Sequence, residues 1–487
     1  MSAQDASAQD KGFAAKVRTA IFWRSGGQII AQMVSWTSTL LVMRLLTPGD
    51  YGLFAMTQVL LNFMQFLNGY GLVSALVQTK SLTSHQVRQA FGIMLLLNGT
   101  LAALQLIIAP FAADYYDQPL IADLLRVQAL IYLSTPFIAI PEVLMARKLD
   151  FRRPAIVGLI SSMVAALVAL TGAFLGWGVW TLVFAPIAGF YVRGIGYLII
   201  SGFVPIPSFN FRGTGWMIAF GAPLLGSQFL IMVQTQTDII IGGRMLPAHE
   251  LGLYAEALFL TQIFVARVLP PLNDVAFPAY ARMQEDRAAL NHAFCRATRL
   301  IMMLACPVYL GMAVTAQPLV LTLFGPKWAA MVPFVAIIAA SMPFYTLQQL
   351  LNPAMNAIGR PGLLMRIAAI GAVVMPLAYF VGIQIGAIGL AWAWAVGIPI
   401  LALVATRIAT SAMDMDMADL LKAMIPGFSA AAIMALCVWA VDQLLPRTWA
   451  TPLHLGALVA TGAAVYTGVV LLAFPAVIRD FRDMLRK

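Results

Sequence analysis

The chain has 487 residues, 61% of them hydrophobic and 10% charged, with a formal net charge of +10. That balance excludes a soluble globular protein. Cys295, Cys306 and Cys437 have no paired spacing and indicate neither a disulfide frame nor a metal site.

Residues 1–18 read as a polar cytoplasmic tail, weakly acidic to Asp10 and then basic at Lys11, Lys16 and Arg18. The first apolar segment is too long for the core of a cleaved signal peptide, so it reads as a retained first span. Apolar runs of about 20 residues then recur along the chain, each enough to cross a hydrocarbon core about 30 Å thick. Backbone amides in lipid must be bonded within their own segment, which makes these runs helices. They are predicted near 19–43, 51–76, 89–110, 120–145, 155–176, 179–201 and 215–241, and then near 251–274, 293–316, 330–356, 363–382, 386–407, 423–445 and 453–475.

A sequence echo organises them. Arg44-Leu45-Leu46 before Asp50-Tyr51-Gly52-Leu53-Phe54-Ala55 returns as Arg244-Met245-Leu246 before Glu250-Leu251-Gly252-Leu253-Tyr254-Ala255. Each copy joins one apolar segment to the next, as expected of duplicated bundles in a transporter. The predicted fold is an all-α integral membrane protein, with about 14 transmembrane helices in two homologous six-helix lobes plus two C-terminal helices. The N-lobe spans 19–201, a cytoplasmic linker 202–214, the C-lobe 215–407, the last two spans 408–475 and a basic cytoplasmic tail 476–487. With both termini cytoplasmic, most of the 30 basic residues fall on the cytoplasmic side, so the net charge is a topology signal and not a nucleic-acid one.

No Walker loop, HExxH or GxSxG pattern occurs, which argues against an enzyme. The remaining information is in polar residues at helical spacing. Arg24, Gln28, Gln32, Ser35 and Thr39 share a face of the first span, and Gln58, Asn62, Gln65 and Gly69 share one on the second. The seventh span carries Gln228, Gln234, Thr235 and Asp238, and the tenth carries Tyr345, Gln349, Asn352 and Asn356. Such amides either bond neighbouring helices together or line a wet cavity; the length of the stripes favours the cavity.

Glu256, Arg267 and Asp274 share a face of the eighth span, and an ionised group at membrane depth usually pairs or lines a pathway. Arg267 is a candidate partner for Asp238 or for an anionic substrate. Arg193 and Arg126 are further intramembrane cations. Arg44 and Arg244 suit helix C-terminal ends, while Asp50 and Glu250 suit the following N-terminal ends, forming a paired hinge clamp with a gating role. Pro136, Pro141, Pro223, Pro270, Pro271, Pro343 and Pro353 are candidate bending points.

Several segments, taken in order, match a known family. They are Arg44-Leu45-Leu46-Thr47-Pro48-Gly49-Asp50-Tyr51-Gly52-Leu53-Phe54-Ala55, Ala75-Leu76-Val77-Gln78-Thr79-Lys80 and Asp238-Ile239-Ile240-Ile241-Gly242. Leu251-Gly252-Leu253-Tyr254, Phe277-Pro278 leading to Arg282, Gly325-Pro326-Lys327-Trp328 and Ala357-Ile358-Gly359-Arg360-Pro361 follow. Together they resemble the Wzx-type polysaccharide or lipid-linked oligosaccharide flippases of the multidrug/oligosaccharidyl-lipid/polysaccharide exporter superfamily, in the branch around the colanic acid exporter.

The resemblance implies a bacterial inner-membrane protein with two lobes, translocating an undecaprenyl-diphosphate-linked oligosaccharide to the periplasmic leaflet. It implies membrane lipids as surroundings, and polymerase and chain-length proteins of the same assembly pathway as partners, with no cofactor and no nucleic acid. For that cargo, Arg24, Arg193 and Arg267 are expected to hold diphosphate or acidic sugar. Gln28, Gln32, Asn62, Gln65, Gln349 and Asn352 are expected to contact sugar hydroxyls, and Asp238 and Glu256 to serve ion or proton coupling. The rival expectation is a cation-coupled small-molecule antiporter of the same superfamily, and a third is a non-transporting scaffold.

Overall fold

The computed structural model describes residues 26–27, 30–67, 83–147, 150, 152–204, 206–211, 215–446 and 448–475, with side chains omitted at 215–228 and Pro361. All secondary structure among the described residues is helical. Eleven of these helices are long and apolar enough to cross a membrane. The chain divides into two compact units, Met1–Gln228 and Phe229–Lys487.

The first unit opens with helix α1 (residues 30–45) and α2 (Pro48–Leu67). Helix α3 (Ser84–Tyr116) begins before the predicted 89, because Thr83 and Gln86 form a reciprocal capping box. The predicted span near 120–145 is α4 (Leu120–Gln128) followed by α5 (Leu130–Arg147). The intervening Ala129 keeps αR geometry, so the break bends the path without reversing it. Helices α6 (Arg152–Phe174) and α7 (Trp180–Ser201) form a hairpin. At its turn Gly178 has φ +55, and a Cβ there would lie 2.9 Å from the Asp50 carboxylate, so both backbone and space require glycine.

Apolar layers hold this unit together. Leu61, Met64, Leu101 and Tyr132 join α2, α3 and α5, while Leu124, Val179 and Val183 join α4 to α7. After α7 the chain straps back over the start of α3. The Ser208 amide donates to the Arg88 carbonyl at 2.9 Å, and Gln89 Nε2 donates to the Asn210 carbonyl at 2.6 Å. Residue 92 must be glycine here, since a Cβ would press into the Ser208 carbonyl. The first part of the predicted linker is therefore fastened to its own unit.

Helix α8 (Gly215–Met245) contains the boundary between the two units. The second unit continues through α9 (Ala248–Arg282), which runs past the predicted end at Asp274 with Pro270, Pro271 and Pro278 inside it. Next come α10 (Arg287–Val314) and the short α11 (Ala316–Leu323), then a 3-10 turn over Pro326–Met331 that buries Trp328. Helices α12 (Val332–Ala357), α13 (Pro361–Gly382) and α14 (Ala387–Met413) follow.

The last pair, α15 (Met417–Leu444) and α16 (Thr451–Ala473), packs onto this unit. Tyr466 Oη donates to the Met303 carbonyl of α10 at 2.7 Å, and His454 Nε2 meets Asp442 Oδ1 at 2.7 Å across the α15–α16 hairpin.

Candidate functional site

In the first unit the polar centre is at Arg193 on α7. Its Nη2 lies 3.2 Å from the Tyr197 hydroxyl and 3.5 Å from Glu142 Oε2 on α5. Its guanidinium carbon stands 5.2 Å from the centre of the Tyr197 ring, a cation–π contact one helical turn along. Both charged side chains stay open, at 39% and 52% relative exposure for Arg193 and Glu142, while Arg193 Nε is buried without a hydrogen-bond partner. Glu142 is absent from the sequence prediction; it follows Pro141 near the end of a span and shares no stripe.

Deeper in the same unit lies a layer of neutral groups that periodicity also missed. Gln105 Nε2 donates to the Leu125 carbonyl at 2.7 Å, and the Tyr132 hydroxyl donates to Gln105 Oε1 at 2.9 Å. Gln128 Nε2 donates to Thr57 Oγ1 at 3.1 Å. The available signal was Asn98 and Gln105, seven apart on α3, with Gln128 and Tyr132 four apart in the next segment.

The second unit is organised around Asp238, which is fully buried. The Tyr254 hydroxyl donates to Asp238 Oδ2 at 2.7 Å, the Ile239 amide to Oδ1 at 2.8 Å, and Trp394 Nε1 approaches Oδ2 at 3.5 Å. Tyr345 packs edge-on against Trp394, with ring centroids 5.7 Å apart. These donors satisfy a carboxyl group that would otherwise be costly to bury. They also correct an expectation: Asp238 is engaged by Tyr254 and Trp394, not by Arg267.

The other predicted residues distribute as follows. Arg24 and Gln28 lie outside the described residues. Gln32 on α1 is half-buried, and Asn62 and Gln65 on α2 are exposed. Asn352 Nδ2 donates to Gln349 Oε1 at 3.0 Å, so these two act as one half-buried polar patch on α12. On α9, Glu256 is half-buried and Arg267 exposed. Arg126 pairs with Asp123 one turn away, at 2.7 Å and largely exposed.

The repeat junctions are unequal. Asp50 Oδ2 accepts from the Thr47 amide at 2.9 Å and from its hydroxyl at 2.7 Å, so Asp50 is a capping residue of α2. In the second copy Pro247 precedes α9 with no side-chain cap, and Glu250 is exposed in the first turn. Arg44 and Arg244 are both exposed at the preceding helix ends.

This arrangement, apolar helices enclosing a few polar centres, has the all-α fold of a multi-pass membrane transporter. The chain superposes with a TM-score of 0.72 on an inward closed structure of the lipid II flippase MurJ, at 14% identity, covering 94% of this chain and all of that one. An inward-facing multidrug-resistance MATE transporter of the MOP superfamily gives a TM-score of 0.62 at 12% identity, covering 83% and 99%.

Residues 41–333 match the family model described as polysaccharide biosynthesis protein, and the chain belongs to that family. The succinoglycan biosynthesis transport protein ExoT of Rhizobium meliloti (strain 1021) is 26% identical over 91% of this chain and 90% of its own length. The teichuronic acid biosynthesis protein TuaB of Bacillus subtilis (strain 168) is 22% identical over 85% and 86%. The lipopolysaccharide biosynthesis protein WzxC of Escherichia coli (strain K12) is 20% identical over 65% of each.

Proposed function

We propose that this protein is a flippase that carries an undecaprenyl-diphosphate-linked oligosaccharide repeat unit from the cytoplasmic to the periplasmic leaflet by alternating access. The observation that carries the reading is full-length kinship with a succinoglycan biosynthesis transport protein, on a chain built of membrane helices. A polysaccharide precursor is too polar to cross lipid unaided, and a membrane protein of such a pathway that is built of spans has translocation as its natural task.

The residues supply groups suited to that cargo. Arg193, with Arg24 and Arg267, offers guanidinium groups for a diphosphate. Gln32, Asn62, Gln65 and the bonded Gln349–Asn352 pair, with Gln28, offer amides to sugar hydroxyls. Asp238 and Glu256 are the carboxyl groups available for ion or proton coupling. Arg44, Asp50, Arg244 and Glu250 mark the repeat junctions where gating movements would turn. In this reading the protein works in the bacterial inner membrane with both termini cytoplasmic, beside the polymerase and chain-length proteins of its pathway.

The test is export in cells whose own undecaprenyl-linked glycan flippase has been deleted, supplied with the cognate glycan pathway. The intact chain is expected to restore surface glycan. Arg193→Ala and Arg267→Ala, at matched membrane levels, are expected to lower it at least about tenfold, the effect of removing a charge-assisted contact. Accumulation of lipid-linked oligosaccharide despite the intact chain would overturn the flippase reading. Full export by both variants would keep the function and remove the arginines from the site.

A further inference from the structure

The Arg193 site already holds an anion, and that anion belongs to the protein. Glu142 on α5 faces Arg193 on α7 at 3.5 Å, longer than a charge-assisted hydrogen bond of about 2.7–2.9 Å. A guanidinium has five donors in a fixed fork suited to bidentate oxyanions. Here one nitrogen serves Tyr197 and Glu142 together, and Nε has no partner. The pair is therefore loosely made, and a better-fitting oxyanion has donors left to use.

Its position agrees with that role. Glu142 lies about 8 Å from the Arg147 end of α5, and Arg193 about 12 Å from the Ser201 end of α7, at about 1.5 Å per residue. Arg147, Arg152 and Arg153 gather at the same end of this unit, and such a cluster raises the local concentration of anions. Exposed charges at that depth need water or a polar ligand.

We propose that Glu142 is a resident stand-in for the substrate's anionic group: it occupies Arg193 until a diphosphate displaces it, and it thereby sets the affinity and selectivity of the loading step. This rests on the flippase reading for the identity of the cargo, and on geometry alone for the anion site. Because the pair ties α5 to α7, displacement of Glu142 also releases one tie between those helices at the loading end.

The experiment measures equilibrium binding of farnesyl diphosphate, a short prenyl diphosphate, to the purified full-length protein in nanodiscs. Inorganic pyrophosphate serves as a competitor without a lipid tail. Glu142→Gln removes the competing charge while keeping shape, and is expected to bind farnesyl diphosphate about three- to tenfold tighter than the parent. Pyrophosphate should gain by a similar factor, because the diphosphate itself is the group recognised. Glu142→Ala should change affinity in the same direction, which guards against a fold-specific effect of one variant.

The gain should vanish in an Arg193→Gln background. Asp123→Asn, which also removes one exposed negative charge from this unit, should give no gain. Unchanged or weaker binding in Glu142→Gln overturns the proposal. So does a gain that survives loss of Arg193, one reproduced by Asp123→Asn, or one confined to the prenylated probe. Export is scored separately: tighter binding without restored export keeps the anion site and removes the flippase reading. Restored export with no Glu142 effect does the reverse.

Discussion

Ser38 and Phe54 in the first unit occupy the repeat positions that Asp238 and Tyr254 occupy in the second. The Ser38 hydroxyl makes a long contact of 3.4 Å to the Ala166 carbonyl, and Phe54 packs in the apolar layer of Leu124, Val179 and Val183. At the equivalent place in the second unit, a fully buried carboxyl group gathers a phenol, an indole and a backbone amide. The two sequence copies share the helix–turn–helix frame, and their buried layers differ. The buried side-chain network of the first unit joins amides and hydroxyls, and in the second unit the donors converge on one acid. An acid leaves more unsatisfied when it is removed, because its donors are stranded together.

The largest effect is expected at that acid. Asp238→Ala deprives the Tyr254 hydroxyl and the Trp394 indole of their acceptor in a closed environment, and is expected to cost about 2–4 kcal/mol. Thermal unfolding in detergent would read this as a large fall in midpoint or as loss of monodisperse protein. Transplanting the first unit's residues sharpens the comparison. Asp238→Ser with Tyr254→Phe removes acceptor and donor together, and the pair is expected to cost less than the sum of the single changes by about 1–3 kcal/mol. Simple additivity would mean the two residues do not act as one unit.

A smaller effect is expected in the neutral layer of the first unit. Gln105→Leu strands the Tyr132 hydroxyl and frees the Leu125 carbonyl, with an expected cost of about 1–3 kcal/mol. The informative quantity is its rank against Asp238→Ala in the same assay. A larger loss at Gln105 would break the contrast between the two interiors.

What the sequence discloses follows the same division between local and distant contacts. Apolar runs locate the spans because lipid leaves the backbone no alternative to the helix. Span ends are less visible. The Thr83–Gln86 capping box starts α3 early, and α9 continues through three prolines to Arg282, past the predicted end near residue 274. Asp238 was legible as an acid in an apolar segment. Its partners were not, since Tyr254 is 16 residues away and Trp394 is 156. Arg193 stood out for the same reason as Asp238, whereas Glu142 is assigned only once α5 and α7 lie side by side. Helical wheels report which face a residue shares within its own span, and the site is made between spans.

The smallest predicted effects concern the two repeat junctions, and they have opposite signs. Thr47 and Asp50 cap α2 reciprocally, with the Thr47 hydroxyl also accepting from the Asp50 amide at 3.3 Å. Thr47→Ala is expected to cost about 1 kcal/mol. At the second junction Pro247 stands where Thr47 stands in the first, with φ −58 and ψ 144 and no side-chain cap. That backbone geometry suits a capping residue, and Glu250 already occupies the third position of α9. Pro247→Thr therefore supplies the missing half of a capping box. The loss of a proline loosens the unfolded chain and offsets part of the gain by about 0.4–1 kcal/mol. A net stabilisation of a few tenths of a kcal/mol is expected, measured against Thr47→Ala in the same thermal assay. Destabilisation of both variants by similar amounts would mean that Pro247 holds the second junction by rigidity as firmly as hydrogen bonds hold the first.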